Sequence, residues 1–297
     1  MKKTGIVFDL VTLLLLAAAM LLRKLELLTV LDEKGLTVFR PVTAVLIALC
    51  VLAAVLFFLF SRQDGQPEEQ GKAGRIFDLG WGTAAFLVQL WGAWLLYKGW
   101  KSGGTMLDLV LALLAGLAAA GWLCVRIAEY REKGSAGAVF LAGALVTLFY
   151  CLWLIAYYRD EAPEPSLILT LYAFLALCAS CVAAYYYTGR TIGKRRPRRT
   201  LVFCGLAALL SMAAQVRGEE TSAYRLFWVA GAMQFWLSAA MVLRSPGAAE
   251  EAPAEEPEGE ENAEAPEENS SEAPEETAEA PEPLSDEDAP AGPAEEE

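Results

Sequence analysis

The chain has 297 residues, 55% of them hydrophobic, a formal net charge of −13 and no histidine. Without histidine there is no His-ligated haem, no His-containing zinc hydrolase site and no Ser–His or Cys–His nucleophile pair. The charge averages two unlike parts: residues 245–297 hold 21 Asp and Glu and no Lys or Arg, whereas 1–244 hold 16 acidic and 24 basic residues. A basic, apolar body is therefore joined to an acidic tail.

A helix crosses the hydrocarbon core of a bilayer with about 20 mostly apolar residues. Eight such runs follow one another, near 5–25, 42–60, 76–98, 105–127, 136–158, 166–187, 200–217 and 222–243. The soluble alternative, an all-helical globular core, demands a polar stripe at helical spacing. "LVLALLAGLAAAGWLCV" (Leu109 to Val125) has none. The expected fold is therefore all-α, a polytopic transmembrane helical bundle of about eight spans.

The first span opens "MKKTGIVFDLVTLLLLAAAM". Its basic start and its Ala17–Ala18–Ala19 patch resemble a signal peptide, but Asp9 interrupts the apolar region and Met20, Leu21 and Leu22 extend it, so it reads as a retained span. In the first loop, Thr29–Leu31 and Leu36–Phe39 are β-prone runs around Asp32-Glu33-Lys34-Gly35, which suits a short outer-face hairpin.

Asp9, Asp78 and Asp108 each lie about one turn inside a span, where a carboxylate interacts favourably with the positive end of the helix dipole. The functional alternative is a proton- or cation-binding pair, Asp9 with Asp78, in a vestibule at one membrane face. Gln89 and Gln234 fall near the middle of the third and eighth spans and Gln215 near the end of the seventh. An amide in hydrocarbon needs a partner, so these read chiefly as interhelical glue. Ala112, Gly116, Ala120 and Cys124 recur every four residues, as do Ala176, Ser180 and Ala184, and each set offers a smooth ridge for close helix approach.

All six cysteines fall inside the apolar runs. Cys178 and Cys181 form a Cys-x-x-Cys, but two cysteines without a second pair or a histidine do not close a tetrahedral metal site, so small-residue packing is the preferred reading. Nothing implies a metal or a cofactor.

Between the sixth and seventh spans, Arg190, Lys194, Arg195, Arg196, Arg198 and Arg199 form a basic loop. Lys and Arg near span ends accumulate on the cytoplasmic side. With both termini inside, 15 of the 24 basic residues lie in inner segments, and this loop supplies the largest share. It is a topological anchor, and anionic lipid is its natural partner. Arg23, Lys24, Lys34 and Arg40 oppose the trend from the first loop.

Residues 245–297 carry nine of the fourteen prolines in repeated "EAPEE"-like units, with little to bury beyond Leu284. Such a composition does not recover the entropy cost of ordering, so a disordered acidic tail is expected, either masking the basic loop or docking a protein partner. The "MKKT" start and short loops suit a bacterial inner membrane. No catalytic motif and no nucleic-acid-binding pattern is present, so two readings stand. One is a non-enzymatic membrane scaffold or partner subunit; the other is a small permease using Asp9 and Asp78, with Gln89 and Gln234.

Overall fold

The computed structural model describes residues 3–31, 41–62, 72–131, 136–161, 167–191, 196–216 and 222–244. The β-prone run 36–39, Lys194, Arg195 and the whole acidic tail lie outside the described residues.

The described residues form eight helices: α1 (Lys3–Leu31), α2 (Pro41–Arg62), α3 (Lys72–Lys101), α4 (Met106–Arg131), α5 (Ala136–Glu161), α6 (Leu167–Thr191), α7 (Pro197–Ala214) and α8 (Ser222–Arg244). No strand occurs among the described residues. Thr29–Leu31, the first run of the expected hairpin, is instead the last turn of α1. The helix continues past its apolar stretch because Arg23 and Glu26, one turn apart, pair with each other and are both buried.

Seven of the eight helices are long and apolar enough to cross a membrane; α7 is the exception. Its place explains its composition. It packs against α1, α2, α6 and α8, so protein surrounds it and small residues suffice. Cys204, Ala207 and Ala208 are fully buried. At Gly205 an added Cβ would come within 2.5 Å of the Phe57 ring of α2, so glycine is the notch that seats this ring. Pro197 starts the helix at a position where its missing N–H costs nothing.

Neighbouring helices α3, α4, α5, α6, α7 and α8 pack in sequence, and α8 returns to α3, which closes a ring of six. The α1–α2 hairpin lies outside this ring against α7, with α1 also reaching α8. Rings fill the interior between α5 and α8. Trp153 meets Trp228 with centroids 4.4 Å apart, Phe149 meets Phe227 at 5.5 Å and Tyr150 meets Phe235 at 5.2 Å. The column continues through Trp122 to Tyr187. Such tilted and edge-on pairs add to the burial of the rings themselves.

The outer surface is apolar. Leu141, Leu148 and Ile155 form an exposed stripe on α5, as do Leu14, Leu21 and Leu28 on α1. Exposed rows of this length on several helices mark a surface solvated by lipid.

The α3–α4 turn is closed at both sides. Gly104 N–H donates to the Gly99 carbonyl and Gly103 N–H to the Trp100 carbonyl, the paired bonds of a Schellman cap, and Gly103 has φ 112°. Immediately after it, Thr105 N–H donates to Asp108 Oδ2 at 2.8 Å, a capping-box bond that starts α4.

Of the two small-residue ridges, one packs throughout and the other only at its start, Ala112, which is buried. Ala176, Ser180 and Ala184 are buried. On α4, Ala120 and Cys124 are exposed, and an added Cβ at Gly116 would meet nothing within 4 Å. Close approach to α5 occurs instead at Gly121, whose added Cβ would stand 2.6 Å from the Ala142 carbonyl.

Candidate functional site

Ionisable side chains at membrane depth are costly unless paired, and they are the natural pointers to function. The structure gathers most of them at the end of the bundle where α1 and α3 begin and where α4, α6 and α8 finish.

Asp9 and Asp78 come together there, as a vestibule requires, but around a cation. Arg244, in the last turn of α8, bonds to Asp9 Oδ2 through Nη2, and its Nη1 lies 3.3 and 3.2 Å from the two Asp78 carboxylate oxygens. Asp78 is buried, while the Asp9 and Arg244 side chains are partly exposed. The contact also fixes the parity of the fold, since the end of α8 meets the starts of α1 and α3. Neither aspartate lies in a first turn, because α1 begins at Lys3 and α3 at Lys72, ahead of the apolar runs. Their partner is therefore a guanidinium and not a helix dipole. Asp108 does lie in the first turn of α4, at the opposite end, where Thr105 engages it.

A second cluster centres on Arg126, which sequence counting assigns to a cytoplasmic loop. It is inside α4 and only 3% exposed. Nη2 donates to the Ser238 hydroxyl at 2.7 Å and to the Gln234 backbone carbonyl at 3.0 Å. Nη1 donates to the Tyr187 hydroxyl at 3.0 Å and faces Glu129 Oε2 at 3.3 Å. Tyr187 in turn donates to Glu129 Oε1 at 2.7 Å. The guanidinium carbon also lies 5.4 Å from the centroids of both Trp122 and Tyr187, which adds cation–π attraction. One arginine thus ties α4, α6 and α8 together at the end of the aromatic column. Tyr187 is buried and points inward.

Of the two mid-span glutamines, read chiefly as interhelical glue, Gln89 makes such a tie. Gln89 is eleven residues beyond Asp78 on α3, about 16 Å along the axis. Its Nε2 donates to the Ala115 carbonyl of α4 at 3.2 Å, an interhelical tie. Gln234 is fully buried, and neither polar atom of its side chain has a hydrogen-bond partner. Its backbone carbonyl serves Arg126, so this residue takes part through its peptide group.

Of the basic loop, Arg190 is in the last turn of α6, Arg196 caps α7, and Arg198 and Arg199 are exposed in the first turn of α7. Cations at a helix start oppose its dipole, so helix stability does not account for them.

At the other end of the bundle, Arg23 and Glu26 form a third buried tie. Glu26 accepts from Arg23 and from the Thr43 hydroxyl of α2, and the Arg23 guanidinium stands 4.4 Å from the Tyr172 ring of α6. Arg23 is therefore part of the core and not a loop charge. The six cysteines are free thiols, and no group of residues suited to hold a metal occurs among the described residues.

The signal that sequence reading passed over was charge within helical reach of an apolar run: Arg23 with Glu26, and Arg126 with Glu129, both at i, i+3. No protein-family model, curated protein or solved structure matches the chain. What the bundle itself establishes is a multi-pass helical membrane protein, held at both ends by buried arginines.

Proposed function

We propose that this chain is a non-enzymatic membrane scaffold or partner subunit, with both termini in the cytoplasm and the acidic tail as the segment offered to a protein partner. The observation that carries the proposal is the Arg244 clamp. The two carboxylates best placed to bind a transported proton or cation are both engaged by one guanidinium. Aromatic rings occupy the ring interior behind them. Transport by a bundle of this kind calls for broken or polar helices near the midplane, and α3 and α8 run unbroken through theirs.

Orientation is supported by two changes to the charge tally. Arg23 and Arg126 are both paired inside the bundle, so neither counts as a loop charge. The exposed Arg196, Arg198 and Arg199 then dominate the bias, and they lie at the end shared with the start of α1. Anionic lipid at this loop follows from the same charges.

A permease is the second reading, and it too rests on the clamp, because two carboxylates from different helices, Asp9 and Asp78, meet at one end of the bundle. Reconstitution distinguishes the two. Proteoliposomes of the full chain with an imposed proton or sodium gradient are expected to leak no faster than empty vesicles. A flux that Asp78→Asn abolishes in a folded protein would overturn the scaffold reading. Cross-linking in native membranes, with and without residues 248–297, then asks whether a partner depends on the tail.

A further inference from the structure

A groove of about 680 Å³ runs along the lipid-facing side of the α3–α4 hairpin. Its walls are Trp91, Trp94 and Tyr97 of α3 and Ala112, Leu113 and Gly116 of α4. Both tryptophans are exposed to the bilayer, at 57% and 43%. The floor is made of small side chains, and Gly116 leaves open space where a Cβ would stand. The ridge expected to receive a helix therefore opens onto a slot.

The dimensions of the slot match one leaflet. From Leu87 to Tyr97 is ten residues, about 15 Å along the helix. Half of a hydrocarbon core of about 30 Å is the same length. Leu87 lies near the middle of α3 and Tyr97 close to its end, so the slot runs from the midplane to the headgroups.

Two cations stand at the headgroup end. Lys98 Nζ is 3.9 Å from the Trp94 ring centroid and Lys101 Nζ is 5.8 Å from that of Tyr97, and both rings line the slot. The two lysines are exposed, and no ion pair engages either among the described residues. The one carboxylate described in the neighbouring turn, Asp108, is held by Thr105. The Schellman cap at Gly103 and the capping box behind it hold the turn, and hence the lysines, in place.

We propose that this groove is a binding site for an anionic phospholipid of the leaflet in which α3 ends, with an acyl chain in the slot and the headgroup phosphate between Lys98 and Lys101. Apolar walls select a chain, and the lysines select the charge. Each lysine contributes roughly a fivefold preference, the equivalent of about 1 kcal/mol.

The test uses the full-length protein in phosphatidylcholine vesicles containing a low fraction of lipid brominated on its acyl chains, either phosphatidylglycerol or phosphatidylcholine. Bromine quenches the fluorescence of tryptophans that it touches. Brominated phosphatidylglycerol is expected to saturate quenching at a far lower mole fraction than brominated phosphatidylcholine. Trp91→Phe with Trp94→Phe should remove that quenched component. Lys98→Gln with Lys101→Gln should lower the preference roughly fivefold per lysine, and Gly116→Leu, which has room to fit, should block the slot for both lipids. Equal quenching by the two lipids, or a preference indifferent to the lysine pair, overturns the proposal. So does a cross-linked dimer that Gly116→Leu abolishes, which would make the occupant a helix.

Discussion

Replacing Arg126 with methionine is the sharpest probe of the bundle, because the side chain keeps much of its length and loses its charge. The guanidinium donates to five partners: Ser238, the Gln234 carbonyl, Tyr187, Glu129 and the Met241 sulfur. Four of these retain a bond to one another: Ser238 still donates to the Gln234 carbonyl at 2.8 Å, and Tyr187 still donates to Glu129. The loss is thus mainly Glu129 left without its cation, plus the hydrogen bonds themselves. Breaking a buried ion pair by removing one partner costs about 3–5 kcal/mol. The Glu129 side chain is 24% exposed and regains some solvation, and single hydrogen bonds between membrane helices average only about 0.6 kcal/mol. The lower part of that range, about 3 kcal/mol, is expected. Ser238→Ala alone should cost about 1 kcal/mol, and it should cost much less in the Arg126→Met background. The assay is reversible unfolding in mixed micelles titrated with sodium dodecyl sulfate, followed by tryptophan fluorescence. If Arg126→Met moves the unfolding free energy by less than about 0.5 kcal/mol, the range of ordinary surface substitutions, the arginine is not the tie described.

Two further outcomes follow from the packing. Arg244→Gln should destabilise the protein by about 2 kcal/mol, between exposed and buried pairs, and Asp78→Asn should recover part of that loss; equal costs in both backgrounds would show no coupling across the clamp. Gly205→Leu should cost more than about 3 kcal/mol by displacing Phe57, with a readout in protease sensitivity of the α1–α2 hairpin, whereas an unaltered digest would show that α2 does not depend on the notch.

The helices were legible because lipid leaves the backbone no other solution. Five of the expected spans lie inside an observed helix; the fourth and sixth start one residue ahead of theirs, and the seventh is displaced, its helix beginning and ending three residues earlier, at Pro197 and Ala214. The interior was less legible, and for a physical reason. When the solvent is as greasy as the core, hydropathy does not distinguish an inward face from an outward one. Ala120 and Cys124 therefore looked like a packing ridge and face outward. The ties join residues far apart in the chain, Arg126 with Ser238 and Asp9 with Arg244, and no local periodicity announces such pairs. Asp9 and Asp78 were recognisable as a pair; the arginine between them was not.

Biogenesis must respect the position of α7. The one helix of the eight described that is not long and apolar enough to cross a membrane is held among four neighbours, and two of those, α1 and α2, leave the ribosome long before it does. The α1–α2 hairpin has to wait, undocked from α7, until that helix arrives. Packing of the described helices thus joins segments made far apart in time, α1 and α2 with α7, and α1 with α8.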